Sequence, residues 1–348
     1  MNARPTGESG EKMKGDGEGE SGGARKSNSG KLNNDIKMTR REFIKASAVF
    51  GAAAAGVPYN LTDITDLFLK EDGELVIYPI IYSSEYRLAR QLPFKRVISI
   101  ELFGCNWNCK WCPVKFFSSK NMTPIVIPIE QLIGLLLNFG DDRSSTMLAV
   151  SGGEPLLQKE EVLKLIKSLK TRTNYTVMLA TNGSLVEENF INKANELGLD
   201  GIMTSFRHID DEWHKWYTGG HDIQNTVDTL KLVTKKFKGM AVVSLIPFSC
   251  IDMVAFENMC RFLHGINPEF VIRIICPFHD KHEYEECCEK RYHKVEEIVL
   301  RYFNHVDRTN YFSNQIKGIR YKIETSGNRM KLVKTHEWEK RKEVTKIG

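Results

Sequence analysis

No run of 18 or more apolar residues occurs in this chain, so no helix is expected to cross a membrane. A disulfide framework is missing as well. The eight cysteines are Cys105, Cys109, Cys112, Cys250, Cys260, Cys276, Cys287 and Cys288. Their spacing does not read as paired staples, and a chain of 348 residues does not need them. Excess charge of one sign is absent too. A net charge of +5 is mild for this length and does not argue for nucleic acid. Large apolar residues are scarce over residues 1–37, where Gly, Ser, Glu, Lys and Asn dominate. That composition cannot bury enough surface to order itself, so the stretch is expected to be a disordered tail. If Met38 is the true start, it is no part of the protein at all. The hydrophobic content of 41% is ample for a core, and the length allows one large or two ordinary domains.

What the chain does have is Gly104-Cys105-Asn106-Trp107-Asn108-Cys109-Lys110-Trp111-Cys112, directly after the apolar run Val97–Phe103. A loop this short can point three thiolates at one centre. Three thiolates suit a [4Fe–4S] cluster that keeps one iron without a protein ligand. A structural zinc site would want a fourth Cys or His nearby, and the next fifteen or so residues supply none. On spacing alone, a zinc knuckle or a chance cluster stays open.

From Val97 on, short apolar runs alternate with amphipathic stretches. Strands are expected at about 97–103, 146–150, 175–179, 201–205, 240–246 and 270–275. Helices are expected at 129–139, 159–170, 185–197, 222–237, 252–264 and 285–304. Ser184 and Glu187 form a plausible capping box for the third helix, with Gly198 at its end. Nearly continuous apolar strands between amphipathic helices imply a parallel sheet covered by helices. Six βα units predict an α/β fold, a partial (β/α)6 barrel of TIM-like type; an open doubly wound sheet is the alternative by rhythm alone. The domain reading is a tail at 1–37, a signal or N-terminal helix at 38–60, a lead-in at 61–96 that packs against the barrel, the barrel at 97–305 and a C-terminal extension at 306–348. Within the lead-in, Glu74–Tyr78 is expected as a short strand.

In such folds the reactive groups gather where strands run out at their C-terminal ends. The first strand ends in the three cysteines. The second ends in Ser151-Gly152-Gly153-Glu154-Pro155, whose two glycines would let backbone come close to a ligand. The third ends in Ala180-Thr181-Asn182-Gly183, the fourth in Ser205-Phe206-Arg207 and the sixth in Cys276-Pro277-Phe278-His279. Polar or Gly-rich residues thus arrive together at one mouth.

These residues resemble the radical S-adenosylmethionine (SAM) superfamily. Its signature is Cys-x3-Cys-x2-Cys with an aromatic or apolar residue before the last Cys, a place filled here by Trp111. Gly152-Gly153-Glu154-Pro155 matches the family's Gly-Gly-Glu-Pro segment. Thr181 and Asn182 are similar to third-strand residues of the enzymes that activate glycyl radical enzymes, the pyruvate formate-lyase activating enzyme group. Ser205-x-Arg207-x6-His214-x4-Gly219 keeps the spacing of that group's Asp-x-Lys-x6-His-x4-Gly stretch, and Pro277-Phe278-His279 resembles its Pro-Tyr-His. The likeness covers roughly residues 95–335. It departs at Ala180, Ser205 and Arg207, where the group often has Asp, Asp and Lys, so a cation site of that group is not carried over. The group's Asp-Gly-Pro-Gly-Ile-Arg lead-in is also missing.

The resemblance implies an oxidoreductase of anaerobic chemistry. Cys105, Cys109 and Cys112 would hold a [4Fe–4S] cluster, and SAM would occupy its open iron. Gly152, Gly153, Glu154, Thr181, Asn182, Ser205, Arg207 and His279, with Trp111, would surround SAM, Arg207 pairing with its carboxylate. Ferredoxin or flavodoxin would deliver one electron, and the 5′-deoxyadenosyl radical would take a hydrogen atom from the substrate. A protein glycine is the leading substrate; a small molecule or peptide is the second reading. A non-catalytic, exported iron–sulfur carrier is a third. Its support is Thr39-Arg40-Arg41-Glu42-Phe43-Ile44-Lys45 and the small-residue segment after it, which resemble a twin-arginine export signal. The chemistry suits the cytoplasm; the motif leaves export open. The remaining cysteines are expected to be buried thiols rather than an auxiliary cluster. His208, His214, His221, Asp210 and Asp211 read as a solvated loop, Trp213, Trp216 and Tyr217 as packing or a substrate wall, and Lys331–Lys346 as a solvated tail or strand edge.

Overall fold

The structure is a computed structural model that describes residues 71–86, 94, 96–110, 112, 123–139, 146–246, 252–275, 293–307, 315–326 and 329–339. The tail, the twin-arginine-like segment, Trp111, His279 and Cys276 lie outside the described residues. Among those described, no helix is long and apolar enough to cross a membrane.

Among the described residues, eleven strands form one sheet. The parallel part is β2 (Arg96–Leu102), β4 (Thr146–Gly152), β5 (Thr176–Thr181), β6 (Gly201–Phe206), β7 (Met240–Leu245), β8 (Val271–Ile274) and β9 (His305–Asp307), in that spatial order. β1 (Glu74–Tyr86) joins β2 antiparallel and carries β3 (Ile125–Pro128), β10 (Gln315–Ser326) and β11 (Arg329–Glu339) as an antiparallel arm. Among the described residues the sheet runs open from β11 to β9. This is the expected partial barrel, with a short seventh parallel strand added. The lead-in strand is 13 residues long, well beyond Tyr78, and is part of the same sheet. The basic stretch from Lys331 contributes to the edge strand β11.

Side-chain alternation sorts the strands into two faces. Ile98, Ile100 and Leu102 of β2, Leu148 and Val150 of β4, and Val177 and Leu179 of β5 pack against the helices α1 (Ile129–Leu136), α2 (Lys159–Arg172) and α3 (Glu188–Glu196). Each such buried Leu, Ile or Val contributes about 1.5–3 kcal/mol. A second cluster joins β6 to β8 with α4 (Asp211–Thr218), α5 (Gln224–Lys236), α6 (Met253–Ile266) and the helix at residues 293–300. The opposite face has its own apolar floor: Phe94, Val97, Met147, Met178 and Val242.

Helix ends follow from local chemistry. α2 opens on Glu160 and Glu161 and closes on Lys170 and Arg172, which suits the helix dipole. Asp252 caps α6 by accepting from the Ala255 N–H at 2.7 Å. The capping box expected at Ser184 and Glu187 does not form. α3 starts at Glu188, its N-cap Glu187 makes no side-chain cap bond, and the Ser184 hydroxyl is committed elsewhere. Residues 211–218, read from sequence within a solvated loop, form α4, capped by Asp210 and ended by Gly219 in the left-handed conformation.

Candidate active site

The cysteine-bearing loop leaves β2 at Phe103 and turns at Gly104, whose φ is +91°. The end of β4 is stitched to it by backbone. Gly153 N–H donates to Leu102 O at 2.9 Å, and Glu154 N–H donates to Gly104 O at 2.7 Å. A Cβ added at Gly152 would run into the Leu102 backbone, and one at Gly153 into the Gly104 carbonyl. The close approach that these glycines permit is therefore to the chain's own cysteine-bearing loop.

Glu154 is fully buried. One carboxylate oxygen accepts from the Leu156 N–H (3.0 Å) and the Thr181 hydroxyl (2.8 Å), the other from the Asn182 N–H (2.7 Å). Burial pushes its carboxyl up to about 7 against the pull of these donors. Three of its roughly four acceptor positions are filled by the protein. Glu154 thus ties the ends of β4 and β5 together.

Asn182 completes the stitching. Its amide donates to Asn106 Oδ1 at 2.8 Å and lies 4.0 Å from Cys105 Sγ. Its Oδ1 accepts from the Ser184 N–H and hydroxyl, and Asn106 in turn donates to Ser184 Oγ at 2.8 Å. Asn106 was not singled out for the site from sequence, and Ser184 was read there as a helix cap rather than as part of this network. Their signal was position alone: each sits one or two residues from a residue already singled out.

Ser205 and Arg207 stand at the end of β6, Ser205 beside Ser244 of β7. One Arg207 nitrogen lies 3.5 Å from the Ser244 carbonyl, and its buried Nε has no hydrogen-bond partner. The Ser244 hydroxyl is buried and unpartnered as well. His214, expected in a solvated loop, is fully buried.

Cys105, Cys109 and Cys112 are thiols, not disulfides, each partly accessible. Burial, then the Glu154 carboxylate, then the Cys109 thiol push the Cys105 thiol well up. No three Cys, His, Asp or Glu among the described residues converge closely enough to hold a single metal ion. A four-iron cluster asks something different: each thiolate takes a separate iron, so the sulfurs stand apart around it. Three thiols on one pinned loop fit that donor set and do not fit a single zinc ion.

The chain is similar to several known proteins. Residues 102–263 match the radical SAM superfamily. A putative glycyl-radical enzyme activating enzyme of Methanocaldococcus jannaschii is 24% identical over 216 residues, 60% of this chain and 79% of that protein. A probable GTP 3′,8-cyclase of Methanococcus aeolicus is 34% identical over 167 residues, 47% of this chain but only half of the cyclase. Among solved structures, a radical SAM methyltransferase from Sphaerobacter thermophilus covers 77% of this chain and 87% of its own, with 12% identity and a TM-score of 0.47.

Proposed function

We propose that this chain, a radical SAM enzyme using a [4Fe–4S] cluster and S-adenosylmethionine, activates a partner protein by removing a hydrogen atom from a backbone glycine. Support comes from the likeness to the activating-enzyme relative, which this chain spans over about four fifths of that protein's length. One observation carries the site reading: the ends of β2, β4 and β5 are bonded to one another around Glu154 and Asn182, directly beside Cys105.

In this reading Cys105, Cys109 and Cys112 hold the cluster. When bound, cluster and SAM supply one-electron cleavage of the sulfonium and, with it, abstraction of hydrogen from a C–H bond. The protein does the rest. Arg207 offers an unpartnered, buried Nε to the methionine carboxylate. Gly152 and Gly153 set the backbone beside the cluster loop, and Glu154 keeps one acceptor position for an ammonium group. Thr181 and Asn182 fix the rim, and the apolar floor under it excludes water. Ser205, Trp111 and His279 complete the proposed shell, and an acidic ferredoxin or flavodoxin is the proposed electron source.

The test is anaerobic reconstitution with dithionite and SAM, followed by incubation with a glycine-containing peptide deuterated at Cα. We expect 5′-deoxyadenosine from wild type and none from Cys109→Ala, with deuterium carried into the product. 5′-Deoxyadenosine without deuterium, from this and other glycyl peptides, would remove the glycine reading. A second reading, rearrangement of a small molecule, is supported by the 34% identity to the cyclase relative. It predicts deuterium-free product formation that a nucleotide stimulates.

A further inference from the structure

We infer that α4 and the turn that ends it are a positioning brace for the cluster loop, acting through Trp107; the inference rests on the cluster reading above. Contacts from α4 and from the turn after it converge on four loop residues, Asn106, Trp107, Asn108 and Lys110. Asn108 N–H donates to Thr218 O, and Lys110 N–H to Tyr217 O, each at 2.9 Å. The Trp107 indole meets the His214 ring edge-on, with centroids 5.3 Å apart at 90°, and stacks on His221 at 5.9 Å. The His221 ring also bonds the Asn106 backbone. Gly219 brings the turn against Asn108: a Cβ there would lie 2.8 Å from the Asn108 Cβ, at a φ of +85°.

The brace has one target that bears on the cluster. The Trp107 N–H lies 3.4 Å from Cys105 Sγ, a hydrogen bond to a proposed iron ligand. Hydrogen bonds to ligand sulfur raise a cluster's reduction potential, so holding the Trp107 peptide in place tunes the cluster. Trp107 is itself 6% exposed, and its indole N–H has no partner. Packing alone therefore fixes the ring. Neither ring nitrogen of His214 has a hydrogen-bond partner, and the Thr218 hydroxyl donates to the His214 carbonyl at 2.8 Å, not to its ring. What His214 gives Trp107 is a flat, neutral edge. Burial and then the Arg207 charge hold the imidazole far below its usual range, at about 4, which keeps it neutral. His214 is thus a positioning residue that acts through Trp107.

The test uses the full-length, reconstituted protein in wild-type form and as His214→Ala, His214→Phe and Gly219→Ala. Iron per chain, the electron paramagnetic resonance spectrum of the reduced cluster, its midpoint potential and the thermal unfolding of the same samples are measured. His214→Ala is expected to lower the potential and broaden the spectrum. His214→Phe, which restores a flat edge without a titratable group, is expected to return both to wild-type values. Gly219→Ala, which leaves both rings in place, is expected to shift the potential by pushing on Asn108. A potential and spectrum unchanged in both His214→Ala and Gly219→Ala would overturn the brace, as would a Phe variant that folds like wild type yet behaves like Ala. A wild type that takes up no four-iron cluster would overturn the cluster reading itself, and the brace with it.

Discussion

Gly153 shows how a short motif can be legible in type and misread in cause. Two adjacent glycines before Glu-Pro signal a close backbone approach, and from sequence a ligand is the natural partner. The partner turns out to be the Gly104 carbonyl. Gly153→Ala must therefore move one strand end away from the other. We expect it to destabilise the protein by about 1–3 kcal/mol and to lower iron uptake, checked by denaturation and iron analysis of the same preparation. Glu154 was likewise named through the family resemblance as a residue of the site, but its burial and its three protein donors could not be read from sequence. The donors come from Leu156, Thr181 and Asn182, up to 28 residues apart. Asn106 was missed, and Ser184 assigned to a helix cap, because lone polar residues in loops look alike until the chain is folded.

At the scale of elements, the long periodic helices and the six apolar strands were readable because each repeats its pattern over several turns or residues. α4 was not. It is two turns long, and His, Trp and Tyr give no clear polar and apolar sides over eight residues. Within the arm, β3 and β10 were passed over, though Ile319-Arg320-Tyr321-Lys322-Ile323 of β10 alternates as a strand should. The joint between arm and barrel depends on Gln158. β1 shifts register against β2 between Ile77 and Ile81, and the buried Gln158 amide reaches that region. It accepts from the Val76 N–H and donates to the Val76 carbonyl, both at 2.8 Å, like one residue of a missing strand. Gln158→Ala leaves a buried donor unpaired. A loss of about 1–3 kcal/mol is expected, with early hydrogen exchange at the Val76 amide.

At the scale of the whole molecule, two buried groups set opposing pH dependences. The Glu154 carboxyl stands at about 7 when folded against 4.5 when free. Its contribution is complete below pH 4.5 and is lost as pH rises through 7. His214 stands at about 4 against 6.5. Its contribution is complete above pH 6.5 and is lost as pH falls through 4. Between pH 4.5 and 6.5 the two slopes oppose each other. His214→Phe removes one of them, so the stability of the cluster-free variant should fall as pH rises from 4.5 to 7, by at most ~3 kcal/mol. Urea denaturation at a series of pH values reads this directly; a variant curve parallel to that of wild type across this window would contradict it.

The backbone bonds that join Leu102 and Gly104 to Gly153 and Glu154 have a further consequence. They are made by peptide groups alone and do not wait for iron. Stripping and reloading the cluster would then be a docking event on a standing template, without hysteresis and without a refolding lag. An oxygen-damaged copy of this protein would be a candidate for repair rather than replacement.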